Sequence, residues 1–155
     1  MTGFVVVAAE HCEAEHIAFM ARQARGLVCL AMTPQRCEEL ELPLMVEGDD
    51  SLSPFTLSIE AATGIDTGIS AADRARTVRV AVDASSQASD LVQPGHIFPI
   101  AAAVGGVLTR TAPAEAAMDL TTLAGLLPSA VFTEVLDNDG ACLLYTSPSP
   151  RDIGE

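Results

Sequence analysis

The chain has 155 residues, a hydrophobic fraction of 49%, few aromatics and a formal net charge of −13 with only eight basic residues. That length suits one domain with a substantial core. The acidic balance argues against nucleic acid, whose footprint needs clustered Lys and Arg, and no apolar run reaches the roughly 18–20 residues of a membrane span.

Phe4 to Ala9 is a continuous apolar run, the pattern of a strand buried on both faces. Glu13 to Arg25 is predicted helical, with Ile17, Met20, Ala21 and Ala24 on one face and Gly26 as its stop. Leu27 to Met32 reads as a second buried strand. Thr33-Pro34 supplies an N-cap and a proline at N1, opening a short helix to about Leu40. Glu47 to Pro54 is a polar loop. From Phe55 to Ala61 the residues alternate, Phe55, Leu57 and Ile59 against Thr56, Ser58 and Glu60, which predicts a half-buried strand. A Gly/Thr-rich turn, Thr63 to Ser70, enters a helix from about Ala71 to Val82, and a Ser/Gln/Asp loop follows to Leu91. Ile97 to Ala103 and Val131 to Leu136 are further strands; Glu115 to Ala124, stopped by Gly125, is the last helix. The fold expected is a single α/β (α+β-like) domain: a mixed, buried sheet with helices on both faces, in three layers.

The turn before the third helix is the centre of the chain. Ser70 and Asp73 form an S-x-x-D pattern, in which hydroxyl and carboxylate reciprocally satisfy helix-start N–H groups. Free amides and a positive dipole end also suit a phosphate, with Thr67 beside them and Arg74 and Arg76 close by. A plain capping box is the simpler reading. Pro94-Gly95-His96 then delivers a histidine at the mouth of the strand Ile97 to Ala103, where it is either a structural residue or a proton carrier. Glu134 is a carboxylate inside an apolar strand run; it needs a partner, a function or a solvated face. Cys29, at a strand end, reads as core packing. The four cysteines, Cys12, Cys29, Cys37 and Cys142, lack metal spacing and a disulfide framework. Reduced thiols in a cytoplasm are expected, and the N-terminus has no basic-then-apolar signal pattern.

The end of the chain breaks the pattern. After the turn Asp137-Asn138-Asp139-Gly140, CLLYTSPSPRD (Cys142 to Asp152) back-translates into a stretch resembling the adapter of transposase-based sequencing libraries. The domain is therefore expected to span residues 1–141. Residues 142–155 are expected to be a non-native tail, disordered and without contacts to the core; a genuine Ser/Pro-rich tail is the alternative.

TGISAADRARTVR (Thr67 to Arg79), PGHIFP, GGVLTR and EAAMDLTTLAGLLPSAV together resemble 3,4-dihydroxy-2-butanone 4-phosphate synthase, the lyase of riboflavin biosynthesis. The segments keep that family's order and nearly its spacing from about Val5 to Gly140. The resemblance implies conversion of D-ribulose 5-phosphate to formate and L-3,4-dihydroxy-2-butanone 4-phosphate, a Mg²⁺ (or Mn²⁺) cofactor, and a homodimer with active sites near the subunit interface. It implies catalytic roles for His96 (the family's R-P-G-H histidine, here after Gln93) and Glu134 (its C-E-x-x-N-x-D-G glutamate). Arg110 matches the arginine of R-x-x-H-T-E and would bind phosphate, and Thr67, Ser70 and Asp73 lie in the substrate turn. Asp66 stands where the family more often has threonine. Pro113 stands at the family's metal-ligand histidine and Ala114 at the adjoining threonine, so no metal position is intact there. Glu115 survives, and helix-dipole preference alone would explain it. Gly3 and VVVAAEH fit the end of the family's acidic loop, with Phe4 at an acidic position and the metal-binding glutamate expected just before Met1. An impaired lyase, incomplete at its N-terminus, is the expectation; a non-catalytic relative or sugar-phosphate-binding subunit is the alternative.

Overall fold

The apolar runs pair into a single sheet. The computed structural model describes residues 2–46, 48 and 54–143. Its strands are β1 (Phe4–Ala8), β2 (Cys29–Met32), β3 (Ile59–Ala61), β4 (Leu91–Ala101) and β5 (Ala130–Glu134), arranged β1-β5-β2-β4-β3. Only β2 and β4 run parallel; the other pairs are antiparallel. Strand alternation divides the side chains between two cores. On one face Leu30, Met32, Ile97 and Val131 pack against α1 (Ala14–Phe19), α2 (Pro34–Glu39) and α3 (Ala71–Val82) through Ile17, Cys37, Ala75 and Val78. On the other, Cys29, Ala31, Ile100, Ala130 and Phe132 pack against Ala114, Ala117 and Met118 of α4 (Pro113–Leu123). This is the three-layer arrangement expected from the sequence. No helix among the described residues is long and apolar enough to cross a membrane.

The helix starts follow their capping chemistry. Thr33 Oγ1 accepts from the Arg36 amide at 3.1 Å with Pro34 at N1, and Ser70 Oγ accepts from the Asp73 amide at 3.0 Å. α4 begins at Pro113, two residues before the predicted start, because proline's missing N–H is harmless at N1.

Several expectations change. β1 is an edge strand, with Val5 and Val7 packed against the core and Phe4 and Val6 more than a third exposed. α1 passes into a π-helical turn, Met20–Ala24, that shifts the helical phase and leaves Ala21 exposed. Arg25, at φ 69°, ends it in place of Gly26. Gly26 is needed for a different reason: a Cβ there would overlap the carbonyl oxygen of Glu134. The strand predicted from Phe55 reduces to β3, with a register shift between Ile59 and Glu60. Thr56 is buried and Leu57 exposed, the reverse of the alternation. β4 begins at Leu91, so Pro94-Gly95-His96 lies within a strand and not at its mouth. The predicted loop from Glu47 to Pro54 falls mostly outside the described residues. Cys142 and Leu143 do contact the domain, against the expectation for the tail: Asp137 Oδ1 closes the turn by accepting from the Asp139 and Ala141 amides, and the Leu143 amide then donates to Val135 O at 3.0 Å. Residues 144–155 lie outside the described set.

Candidate active site

The motif residues form two clusters, one on the α4 face of the sheet and one where β3 and β4 meet the turn before α3. Cys29 pairs with Phe98 on β4 and with Phe132 on β5. Glu134 lies two residues beyond Phe132 on β5, and His96 two residues before Phe98 on β4. Both share the face of Phe98 and Phe132. Among the described residues, His96 is not part of the wall of the cavity that Glu134 lines.

The first cluster surrounds a cavity of about 360 Å³ whose walls include Cys29, Arg110, Pro113, Glu115, Phe132 and Glu134. A 3-10 turn at Gly106–Leu108 positions Arg110, whose amide donates to Gly106 O at 3.1 Å. Asp119 of α4 holds that turn by accepting from the Val107 amide at 3.0 Å. Arg110 Nε stands 3.5 Å from Glu115 Oε1, with the arginine at the rim and the glutamate 1% exposed beneath it. Glu134 accepts from the Cys142 thiol at 3.0 Å. Burial, reinforced by the Glu134 carboxylate, pushes the Cys29 thiol up to about 12. It is therefore a neutral packing group, as its sequence context suggested.

The second cluster lies between β3 and β4. His96 Nδ1 contacts the largely buried Glu60 carboxylate. The turn before α3 lies over this pair: Gly68, at φ 84°, has room only because it lacks a Cβ, which would overlap the Glu60 carboxylate. Asp73 does not complete the reciprocal capping box expected with Ser70. Its Oδ2 accepts instead from the Asp66 and Gly68 amides, at 3.2 and 3.0 Å. These two donors of the expected anion cradle, and the Asp73 amide bonded to Ser70, are thus satisfied internally. Thr67 is exposed beside them.

Two residues of the site were not legible as such. Glu60 sat on the polar side of an alternating run, and only the pairing of Ile59 with Ile97 across β3 and β4 brings it beside His96. Glu115 read as a dipole-favoured carboxylate, and nothing local shows that it is buried.

The 3,4-dihydroxy-2-butanone 4-phosphate synthase family model matches residues 1–147. This chain belongs to that family. The synthase named "3,4-dihydroxy-2-butanone 4-phosphate synthase" from Pseudomonas syringae pv. tomato is 53% identical over 140 residues, 89% of this chain and 38% of that protein. The crystal structure of RibBX, a two-domain synthase from A. baumannii, superposes with a TM-score of 0.86 at 47% identity, covering 92% of this chain and 42% of that one. A synthase crystallised in complex with two magnesium ions superposes at 0.82 and 37% identity, covering 95% of this chain and 68% of the other. The chain thus spans about two fifths of the length of the first two relatives. Its fold is that of the synthase family.

The cavity's residues do not fit a magnesium ion. A hard cation needs several oxygen ligands, and no group of three or more His, Cys, Asp or Glu that could hold a metal occurs among the described residues. Pro113 offers no side-chain ligand and serves as N1 of α4.

Proposed function

We propose that this synthase-family domain binds D-ribulose 5-phosphate and descends from the lyase that converts it to L-3,4-dihydroxy-2-butanone 4-phosphate and formate, with turnover impaired in the polypeptide as given. The observation that carries the reading is the cavity in which Arg110, Glu115 and Glu134 meet against apolar walls. In this reading Arg110 takes the phosphate by its fork of donors, and Glu134 moves the proton whose loss from carbon forms the enediol. His96, held by Glu60, orients or protonates the substrate from the neighbouring cluster. Thr67, Ser70 and Asp73 shape the turn above it. A divalent cation, Mg²⁺ or Mn²⁺, would polarise carbonyl and hydroxyl oxygens when bound. With proline at position 113, no step is assigned to it in this chain.

We infer in addition that the domain works as a homodimer. His96 and Glu134 occupy separate clusters on one sheet face, which suits a site completed across a subunit interface. In the segment leading to Arg110, Leu108 is 95% exposed and Val104 82% exposed, apolar side chains suited to contact with a second copy. The four free thiols fit a reducing cytoplasm. A non-catalytic sugar-phosphate-binding relative is the second reading, and Pro113 is the observation that favours it.

The test measures calorimetric binding of ribulose 5-phosphate and formate release with Mg²⁺. Three polypeptides are compared: the chain as given, Pro113→His, and Pro113→His with an acidic R-E-N-E-G-D loop grafted in place of residues 1–4. Binding without turnover is expected for the first two, and formate release for the third. Robust turnover by the unmodified chain would overturn the impairment; absence of binding would overturn the substrate.

A further inference from the structure

Among the described residues, Glu115 is the one whose two carboxylate oxygens are both buried without a hydrogen-bond partner. A buried carboxylate without hydrogen bonds is strongly disfavoured. Its compensation is the Arg110 guanidinium at 3.5 Å, beyond good hydrogen-bonding distance. Arg110 is about one-third exposed at the cavity rim, where it can turn toward an anion, whereas Glu115 is locked beneath it by the first turn of α4. Helix-start electrostatics favours a carboxylate here but does not require burying one.

We propose that Glu115 is a specificity-determining residue that makes Arg110 select hydroxyl-bearing phosphates over phosphate alone. The inference rests on the sugar-phosphate reading of the cavity. A ligand phosphate draws the guanidinium away from Glu115 and strips the buried carboxylate of its counter-charge. Inorganic phosphate offers nothing in exchange, so its binding carries that penalty in full. A polyol phosphate brings O–H donors over the uncovered carboxylate, and these hydrogen bonds replace the lost ion pair. Glu115 thus opposes simple anions and rewards a sugar chain, with no change in the phosphate contact itself.

The experiment titrates the full chain and its Glu115→Gln variant with ribulose 5-phosphate and with inorganic phosphate by calorimetry, and records a thermal melt of each. In the unsubstituted chain the sugar phosphate should bind more tightly than phosphate. In E115Q phosphate should bind as tightly or more tightly, while the sugar phosphate weakens. The ratio of the two affinities should fall by about tenfold or more, the range for a hydrogen bond to a charged group. A residue needed only for structure would shift both affinities together and lower the melting temperature. An unchanged ratio, or an E115Q protein that no longer folds, would overturn the assignment while leaving the sugar-phosphate reading intact. Failure of the unsubstituted chain to bind either ligand would overturn both.

Discussion

Gly68→Ala tests whether the turn before α3 holds the His96–Glu60 pair. Two separate costs arise at this position. Gly68 has φ 84°, where an L-residue pays a backbone penalty of about 1 kcal/mol after allowing for the stiffer unfolded chain. A Cβ would also overlap the Glu60 carboxylate, which must then leave His96. The imidazole is 43% exposed, so that contact contributes only about 0.5–1 kcal/mol. The sum is about 2 kcal/mol. Gly125→Ala isolates the first cost: its φ is 75°, but a Cβ there meets nothing within 4 Å, so about 1 kcal/mol is expected. Urea unfolding of both variants gives the difference, and the ¹⁵N shift of His96 Nδ1 reports the contact directly. Equal destabilisation in the two variants, with an unchanged His96 signal in Gly68→Ala, would refute the argument.

Ser70→Ala removes the N-cap acceptor of α3 and should lower stability by about 1 kcal/mol in urea unfolding; a loss near zero would show that Asp73 alone holds the helix start. Alkaline pH should destabilise the fold. Burial raises Cys29 to about 12, and Cys12 and Cys37 to about 11, from an ordinary 9.0, so above pH 9 the unfolded thiols ionise while the folded ones cannot. The unfolded state then binds fewer protons, and each thiol costs about 1.4 kcal/mol by pH 10. Cys29→Ala should remove about a third of that pH dependence between pH 8 and pH 10, and an unaltered slope would contradict the burial.

Much of this molecule is local chemistry. Thr33-Pro34, Ser70 and Gly125 mark helix ends because capping and backbone preferences act over a few residues. The apolar runs at Leu30 to Met32 and Val131 to Phe132 mark central strands because they are buried on both faces. The ordered motifs around Asp73, His96, Arg110 and Glu134 carried the family for the same reason: side-chain identity and spacing are written in the chain. Tertiary structure alone decided what those residues touch. The apolar run of β1 cannot reveal that it lies at a sheet edge, since neighbours set burial. Asp73 turned from Ser70 toward the Asp66 and Gly68 amides because the fold of the turn brought those donors closer. Glu60 met His96, 36 residues further along the chain, because Ile59 of β3 pairs with Ile97 of β4. Glu115, five residues from Arg110 and at an ordinary helix start, became a buried charge only when α4 packed on the sheet, because desolvation depends on what covers a residue and not on its place in the sequence.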